Sequence, residues 1–497
     1  MPSEITVQDG LAPYHFAGMV FNPSKGALNK QTQRLLVIGR YEQGEIAKPS
    51  KEGLQQITSS IQISDYYPNK DSQISKMLEA VFKANPMVEC YAIAISDSES
   101  SKPSWDFSFS NTEEKPGNGE LILGVCGLDP IIVKYEESEF QSDDGKFVQD
   151  TLAILTDKLK ASLDMAENLD YDISLESGRL TLTHKDYVNN SNQLSLGIEL
   201  RVPGFKVERS AFKRGNRSTQ NIQQALDQLP EIQFTQIAGE FSSISDLKKI
   251  NDELSKRWDH TLQIDGHYFT AVGGDVKAIK TRYSEGEKLA LTELAHVSVM
   301  AISDSQLDPA IWAASLAAVN AKYVSKPYLP YTSLEIPLPR SVHVLPATEY
   351  KLAERNLLLR YGISTHVVES GKAKIDRLVT MHSKDPSYRD LNKKQILSHL
   401  RYDFVKFLKT MFPRSALSKE NTQADGEVVT PKSARDLAIA RHMKWKKEKY
   451  VQDPEASFKN LVNVRVDEND GETLRFFLPV QLMGQLRRTI TTIAFTP

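Results

Sequence analysis

Cysteine is nearly missing from this chain of 497 residues: Cys90 and Cys126 are the two, with no paired spacing. That count supports neither a disulfide framework nor a zinc site, and leaves two reduced packing residues. Long apolar runs are also missing; none approaches the roughly 18 residues a membrane span needs. The opening Met1-Pro2-Ser3-Glu4 has neither the basic region nor the apolar stretch of a secretory signal. These features imply a chain made and folded in cytoplasm, with no membrane insertion. An excess of one charge is absent too. The 61 Lys and Arg face 64 Asp and Glu, for a net charge of -3 and a pI near 6.4, which argues against a general nucleic-acid binder.

Sequence signals for catalysis are sparse. His260, His267, Asp259 and Asp265 lie close together, and Ser364 follows Gly362, but position 366 is His where a nucleophile elbow of the Gly-x-Ser-x-Gly type needs Gly. Triads are defined by geometry, which this spacing does not supply. Gly145-Lys146 and Gly371-Lys372 lack the upstream Gly and downstream Ser or Thr of a phosphate loop, so ATP use is not expected. The expectation is of no catalytic residues, no metal and no cofactor. Internal repeats and extended low-complexity tracts are absent as well.

Forty per cent apolar and a quarter charged is ordinary globular composition. The length is too great for one core and points to about three domains. After a polar start, residues 14–21 form an isolated apolar element ahead of the turn cluster Asn22-Pro23-Ser24-Lys25-Gly26. A β-α-β rhythm follows: a buried strand over 35–39, a helix over 71–83 and a strand over 88–95. Residues 98–116 are rich in Ser, Glu, Lys, Pro and Asn and read as a linker. Strands are expected over 120–126 and 131–135, then an amphipathic helix over 147–163. A hairpin about Ser177-Gly178 and a strand over 194–200 follow.

The α/β rhythm resumes with strands over 232–238, 267–272 and 297–302, and helices over 245–258 and from Asp308-Pro309 to 321. Four prolines between 327 and 339 exclude a central strand or helix there. A helix over 347–361 ends at Gly362 and precedes a hairpin about Ser370-Gly371. A helix of roughly twenty residues from near Tyr388 carries Leu397, Leu400, Phe404, Phe407, Leu408 and Met411 as one apolar stripe. Phe412-Pro413 ends it, a polar loop spans 418–427, and Thr430-Pro431 opens the next helix. A strand over 474–478, a short helix over 481–486 and a strand over 489–495 close the chain. The fold class is mixed α/β and multidomain, a helix-covered core with a small inserted β-rich domain and extended terminal arms. Expected boundaries are an N-terminal arm 1–30, core 31–99, insert 100–204, core 205–345, C-terminal domain 346–487 and arm strand 488–497.

Between Glu354 and Lys432 stand Glu354-Arg355-Asn356-Leu357-Leu358-Leu359, Tyr361-Gly362-Ile363-Ser364-Thr365, Ile375-Asp376-Arg377-Leu378-Val379-Thr380, Leu400-Arg401-Tyr402, Phe412-Pro413-Arg414 and Val428-Val429-Thr430-Pro431-Lys432. They continue through Phe458-Lys459, Leu478-Pro479 and Gln485-Leu486-Arg487. In order and spacing this run resembles the sheath proteins of contractile phage tails, most closely the Mu-like branch. The resemblance is strongest over the last third.

It implies a structural subunit rather than an enzyme, one that assembles in the host cytoplasm into the virion tail as stacked hexameric rings. The implied partners are copies of itself, the tail tube protein, and the baseplate and tail terminator proteins, without direct contact with nucleic acid. Contraction would drive the tube through the host envelope. The sheath of a phage-derived bacteriocin or secretion-type injection machine, and an enzyme with a subtilisin-like fold, are the alternative readings.

In such proteins the termini resemble arms that add strands to a neighbour's sheet. Here Phe16, Met19, Val20 and Phe21 at one end and Ile490, Ile493 and Phe495 at the other would supply them. The helix after Thr430 carries Lys432, Arg435, Arg441, Lys444, Lys446, Lys447 and Lys449 against Asp436 and Glu448. It reads as a basic face able to meet an acidic strip on the tube, or as a solvated one.

Overall fold

The computed structural model describes residues 32–42, 53–97, 102–125, 128–166, 169–176, 178–185, 196–209, 213, 222–259, 261–285, 288–289, 292–303, 305, 307–339, 349–385, 387–419, 427–487 and 489. The expected arm residues Phe16, Met19, Val20, Phe21, Ile490, Ile493 and Phe495 lie outside these, as do His260 and Cys126. The chain divides into two compact units, one built on residues 33–395, with 486–487 counted in it, and one on 396–485.

The larger unit is organised by an eight-stranded sheet. Its spatial order is Lys372–Arg377, Ile363–Glu369, Val297–Ile302, Tyr268–Gly273, Gln236–Gly239, Arg34–Glu42, Glu89–Asp97 and Leu54–Ile57. The middle pairings are parallel and the outermost strand on each side is antiparallel. Both faces are covered, which explains the unbroken run Leu35-Leu36-Val37-Ile38. Leu35 and Val37 join Ile74, Met77 and Trp312 in the core under helices Gln73–Ala84 and Pro309–Tyr323. Leu36 and Ile38 join Leu247, Ile250 and Leu358 in the core under Ile244–Trp258 and Leu352–Arg360.

Helix Pro309–Tyr323 begins where the sequence places it. The Asp308 carboxylate accepts from the Ala310 amide at 2.9 Å, and Pro309 needs no donor partner at the first position. Ala310 to Ala321 are all buried, so this helix is core on every side. The earlier helix Ile244–Trp258 is capped by Ser243, one residue before it: the Ser243 hydroxyl accepts from the Asp246 amide at 3.2 Å.

The proline-rich stretch has a definite job at the sheet's edge. Ser333 N–H donates to the Ile375 carbonyl at 2.7 Å, Ile375 to Leu334 at 2.9 Å, and Ile336 to Ala373 at 2.8 Å. Chain that cannot be a central strand thus covers the open side of Lys372–Arg377. The hairpin that contains this strand turns at Ser370 and Gly371, with φ of 52° and 73°. Because both hairpin strands belong to the large sheet, the expected domain 346–487 is divided between the two units.

The insert contains a four-stranded sheet, Phe205–Arg209, Ser104–Asn111, Arg179–His184 and Tyr171–Glu176, and a three-stranded sheet, Ile131–Tyr135, Gly119–Val125 and Leu196–Leu200. With helix Thr151–Asp164 they enclose one core containing Phe107, Leu121, Leu155 and Leu180. The expected linker over 98–116 is corrected here, since Ser104–Asn111 is a strand with Trp105, Phe107 and Phe109 buried. Alternation of aromatic with Ser and Asp carries the strand signal, which a composition reading of the polar residues hides. Its partner Phe205–Arg209 takes the pairing of the insert beyond position 204.

In the smaller unit, Thr430 caps helix Pro431–Lys447 by accepting from the Ser433 amide at 3.1 Å. The short helix expected over 481–486 is absent. Gln452 N–H instead donates to Gln481 O at 2.9 Å and Met483 N–H to Tyr450 O at 2.9 Å. Extended pairing satisfies donors that a lone helical turn would leave open.

Gly39 sits where helix Gln73–Ala84 crosses its strand, and a Cβ there would lie 2.9 Å from Ile74 Cα. Gly39→Ala is expected to destabilise the protein by about 1–3 kcal/mol through overpacking. Urea unfolding measures this, and an unchanged midpoint would refute the close approach.

Candidate functional site

In parallel α/β sheets, ligands enter outside the carboxyl ends of the strands, where the strand order reverses. Here that point lies between Arg34–Glu42 and Gln236–Gly239, and the protein's own side chains fill it. Arg40 pairs with Glu240. The Gln73 amide donates to Glu240 at 3.0 Å and to Asp308 at 2.7 Å, while its oxygen accepts from the Arg40 amide at 3.1 Å. Arg40, Gln73 and Asp308 are buried, and Asp308 is also the cap of the core helix. The network ties two strands and two helix N-termini together. Its polar atoms answer one another rather than a ligand.

Of the Ser and His residues flagged by the sequence, His267 meets a different serine, Ser298, at the opposite, amino ends of the strands. His267 Nε2 is 2.8 Å from Ser298 Oγ, which donates to the Val379 carbonyl at 2.7 Å. With the hydroxyl proton committed there, the imidazole donates to the serine, the reverse of a nucleophile and its base. His267 Nδ1 faces no carboxylate among the described contacts; Lys394 Nζ lies 3.3 Å away and is 2.6 Å from His296 Nδ1. Ser364 is separate, bonded through Oγ to the Val379 amide at 3.0 Å and its carbonyl at 3.1 Å. His366 Nδ1 bonds the Ala301 carbonyl at 2.9 Å. Asp259 accepts from the Thr261 amide at 3.0 Å, and Asp265 is buried.

Burial, followed by the neighbouring Lys394, pushes the His296 pKa down to about 2 and holds His267 well below its usual range. Desolvation likewise lowers Lys394 far below an ordinary lysine. Burial thus disfavours the charged form of each of the three groups, and Trp258 lies against both Lys394 and His296.

In the smaller unit, the seven basic positions of helix Pro431–Lys447 and its end separate into two groups. Arg441 turns inward: its Nε donates to Asp403 at 2.6 Å, and Trp445 Nε1 reaches the same carboxylate at 2.6 Å. Arg435 donates to the carbonyls of Val462 and Lys459. Lys432, Lys444, Lys446, Lys447 and Lys449 are exposed, with Lys444 3.8 Å from Glu448. The Asp403 hub was not foreseen. A lone Asp within the apolar stripe Leu400, Phe404, Phe407 was its available signal.

The smaller unit also carries a two-stranded ribbon, Asn463–Val466 paired antiparallel with Leu474–Phe477. Phe476 packs edge-on to Phe404, while Phe477 is exposed at 57%. Among the described residues no third strand joins it, no helix is long and apolar enough to cross a membrane, and no group of His, Cys, Asp and Glu is placed to hold a metal ion.

No model of a known protein family matches the chain. A curated relative, the Mu-like prophage FluMu tail sheath protein of Haemophilus influenzae, is 23% identical over 443 residues, 86% of each chain. Among solved structures, the sheath tail protein of Desulfitobacterium hafniense aligns with a TM-score of 0.47 at 10% identity, covering 94% of this chain and 97% of that one. The contracted helical sheath of the anti-feeding prophage aligns at 0.46 and 11% identity, covering 96% and 98%. The chain is a homologue of a Mu-like tail sheath protein.

Unfolded histidine takes up a proton near pH 6.5 whereas folded His296 resists until about 2, so the unfolded state binds more protons throughout that interval. Stability is therefore present in full above 6.5 and falls as the pH drops, by about 2 kcal/mol per resisting histidine at pH 5. Urea unfolding at pH 8 and pH 5 tests this. His296→Gln should flatten the dependence, and an equal slope in the variant would contradict it.

Proposed function

We propose that this chain is the sheath subunit of a contractile phage tail. Copies stack as sixfold rings around the tail tube, and their contraction drives the tube through the host envelope. The observation that carries this is the similarity to a tail sheath protein over 443 residues and 86% of both chains, which leaves no large part of either unmatched. Subunits associate with the baseplate, the terminator and the tube, and act as structural parts of a virion, not as catalysts. The inverted polarity of the His267–Ser298 contact and the self-satisfied polar network at the strand ends favour that reading over a hydrolase.

Residues 14–21 and 489–495 are the donor strands, and the open ribbon Asn463–Val466 and Leu474–Phe477 of another copy is a suitable acceptor. An isolated two-stranded ribbon is marginal in water and gains from a third and fourth strand. About five main-chain hydrogen bonds at roughly 1 kcal/mol each would give an arm several kcal/mol before apolar burial is added. The extended sheath is then a trapped state. Contacts with tube and baseplate hold it until subunits repack into an array that buries better surface.

The five exposed lysines of the basic helix are the tube-facing set, and Arg435 and Arg441 serve the subunit's own packing. Truncation of either arm is expected to leave a folded monomer that no longer polymerises, measured by light scattering and microscopy. Normal sheaths from a truncated chain would overturn the donor-strand role. Reversing Lys444, Lys446 and Lys447 to Glu should reduce assembly on purified tubes, most at low salt where attraction is least screened. Undiminished assembly would remove the tube-facing assignment.

A further inference from the structure

Arg487 stands immediately before the C-terminal arm, and its guanidinium is not idle. Its Nη1 lies 2.6 Å from Asp390 Oδ1, and Arg377 Nη2 reaches the same oxygen at 3.0 Å. Asp390 precedes helix Leu391–Met411, and its backbone bridges to Val379. One carboxylate thus joins the last residue of the hairpin strand Lys372–Arg377, the start of a long helix and the root of the arm. The carboxylate is 13% exposed, whereas Arg377 and Arg487 are 30% and 25% exposed at the side chain.

Leu486 beside it is 77% exposed, and a Cβ on Gly484 would meet nothing within 4 Å, so packing adds little at these two positions.

Sharing an oxygen between two cations has a definite consequence. Breaking a partly buried ion pair is costly when it strands a desolvated charge. Here Arg377 remains on Asp390 if Arg487 leaves, so departure strands nothing inside and the arginine is hydrated outside. The contact is strong enough to bias the chain and weak enough to be reversed.

We propose that Asp390 is an electrostatic latch that holds the root of the C-terminal arm on its own subunit before assembly and releases it, with Arg377 as the retained counter-ion, when a neighbour captures the arm. This rests on the donor-strand reading of residues 489–495. It adds a control on when the donor becomes available, so that soluble copies do not pair at random.

Trypsin supplies the probe, because Arg487 and Arg488 are its cleavage sites and a latched Arg487 cannot enter the protease. On full-length monomer, release of the peptide 488–497, the product of cleavage after Arg487, is followed by mass spectrometry. Asp390→Asn should raise the release rate about three- to fivefold at low salt. Added salt should raise the wild-type rate and leave Asp390→Asn unchanged, whereas Arg377→Ala should slow release. Equal rates in wild type and Asp390→Asn, with both melting alike, would overturn the latch. Should Asp390→Asn disturb folding, amide exchange over 484–489 in Arg487→Gln decides: faster exchange supports the latch and unchanged exchange refutes it. Polymerisation of each variant separates this from the arm itself. A latch that opens as described in a protein whose arm truncation still polymerises would leave Asp390 confirmed and the donor strand refuted.

Discussion

A parallel sheet cannot leave its strands half exposed, because the crossovers that join them place helices on both faces. That constraint governs the larger unit. It makes consecutive residues of Arg34–Glu42 apolar, forces the close approach at Gly39, and requires helix Pro309–Tyr323 to be buried on every side. It also decides where polar groups can go. They collect at the two ends of the strands, as Arg40, Gln73, Glu240 and Asp308 at one and His267, His296, Ser298 and Lys394 at the other.

Both collections join strands to helices. For the sheath subunit proposed above, such internal cross-ties would let it move as a body. The His267, His296 and Lys394 cluster gathers groups whose charged forms burial disfavours, while the Arg40 network holds opposite charges against each other. Coupling between distant assembly contacts would pass through a core of this kind with little deformation.

Much of this was legible in the residues because the signals were local. The cap and proline at Asp308-Pro309, the αL turn at Ser370-Gly371, and the run Leu35 to Ile38 each demand one local structure. Ser104–Asn111 was lost because serines and aspartate dominate its composition while its aromatics alternate. The helix over 481–486 failed because pairing with 450–452, remote in sequence, outcompeted a weak local preference. Candidate site residues fared by the same rule. Charge on Pro431–Lys447 could be counted, but whether Arg441 faced water depended on Asp403 on another helix. The pairing of Arg487 with Asp390 joins residues far apart in the chain and left no mark in local pattern.

On the proposed sheath function, force passes from copy to copy through contacts that a single chain leaves incomplete. Electron microscopy of the purified full-length chain, concentrated at low salt, tests this most directly. Hollow, cross-striated cylinders of uniform diameter are expected. Single particles of one chain at every concentration, or closed dimers that never extend, would contradict the account.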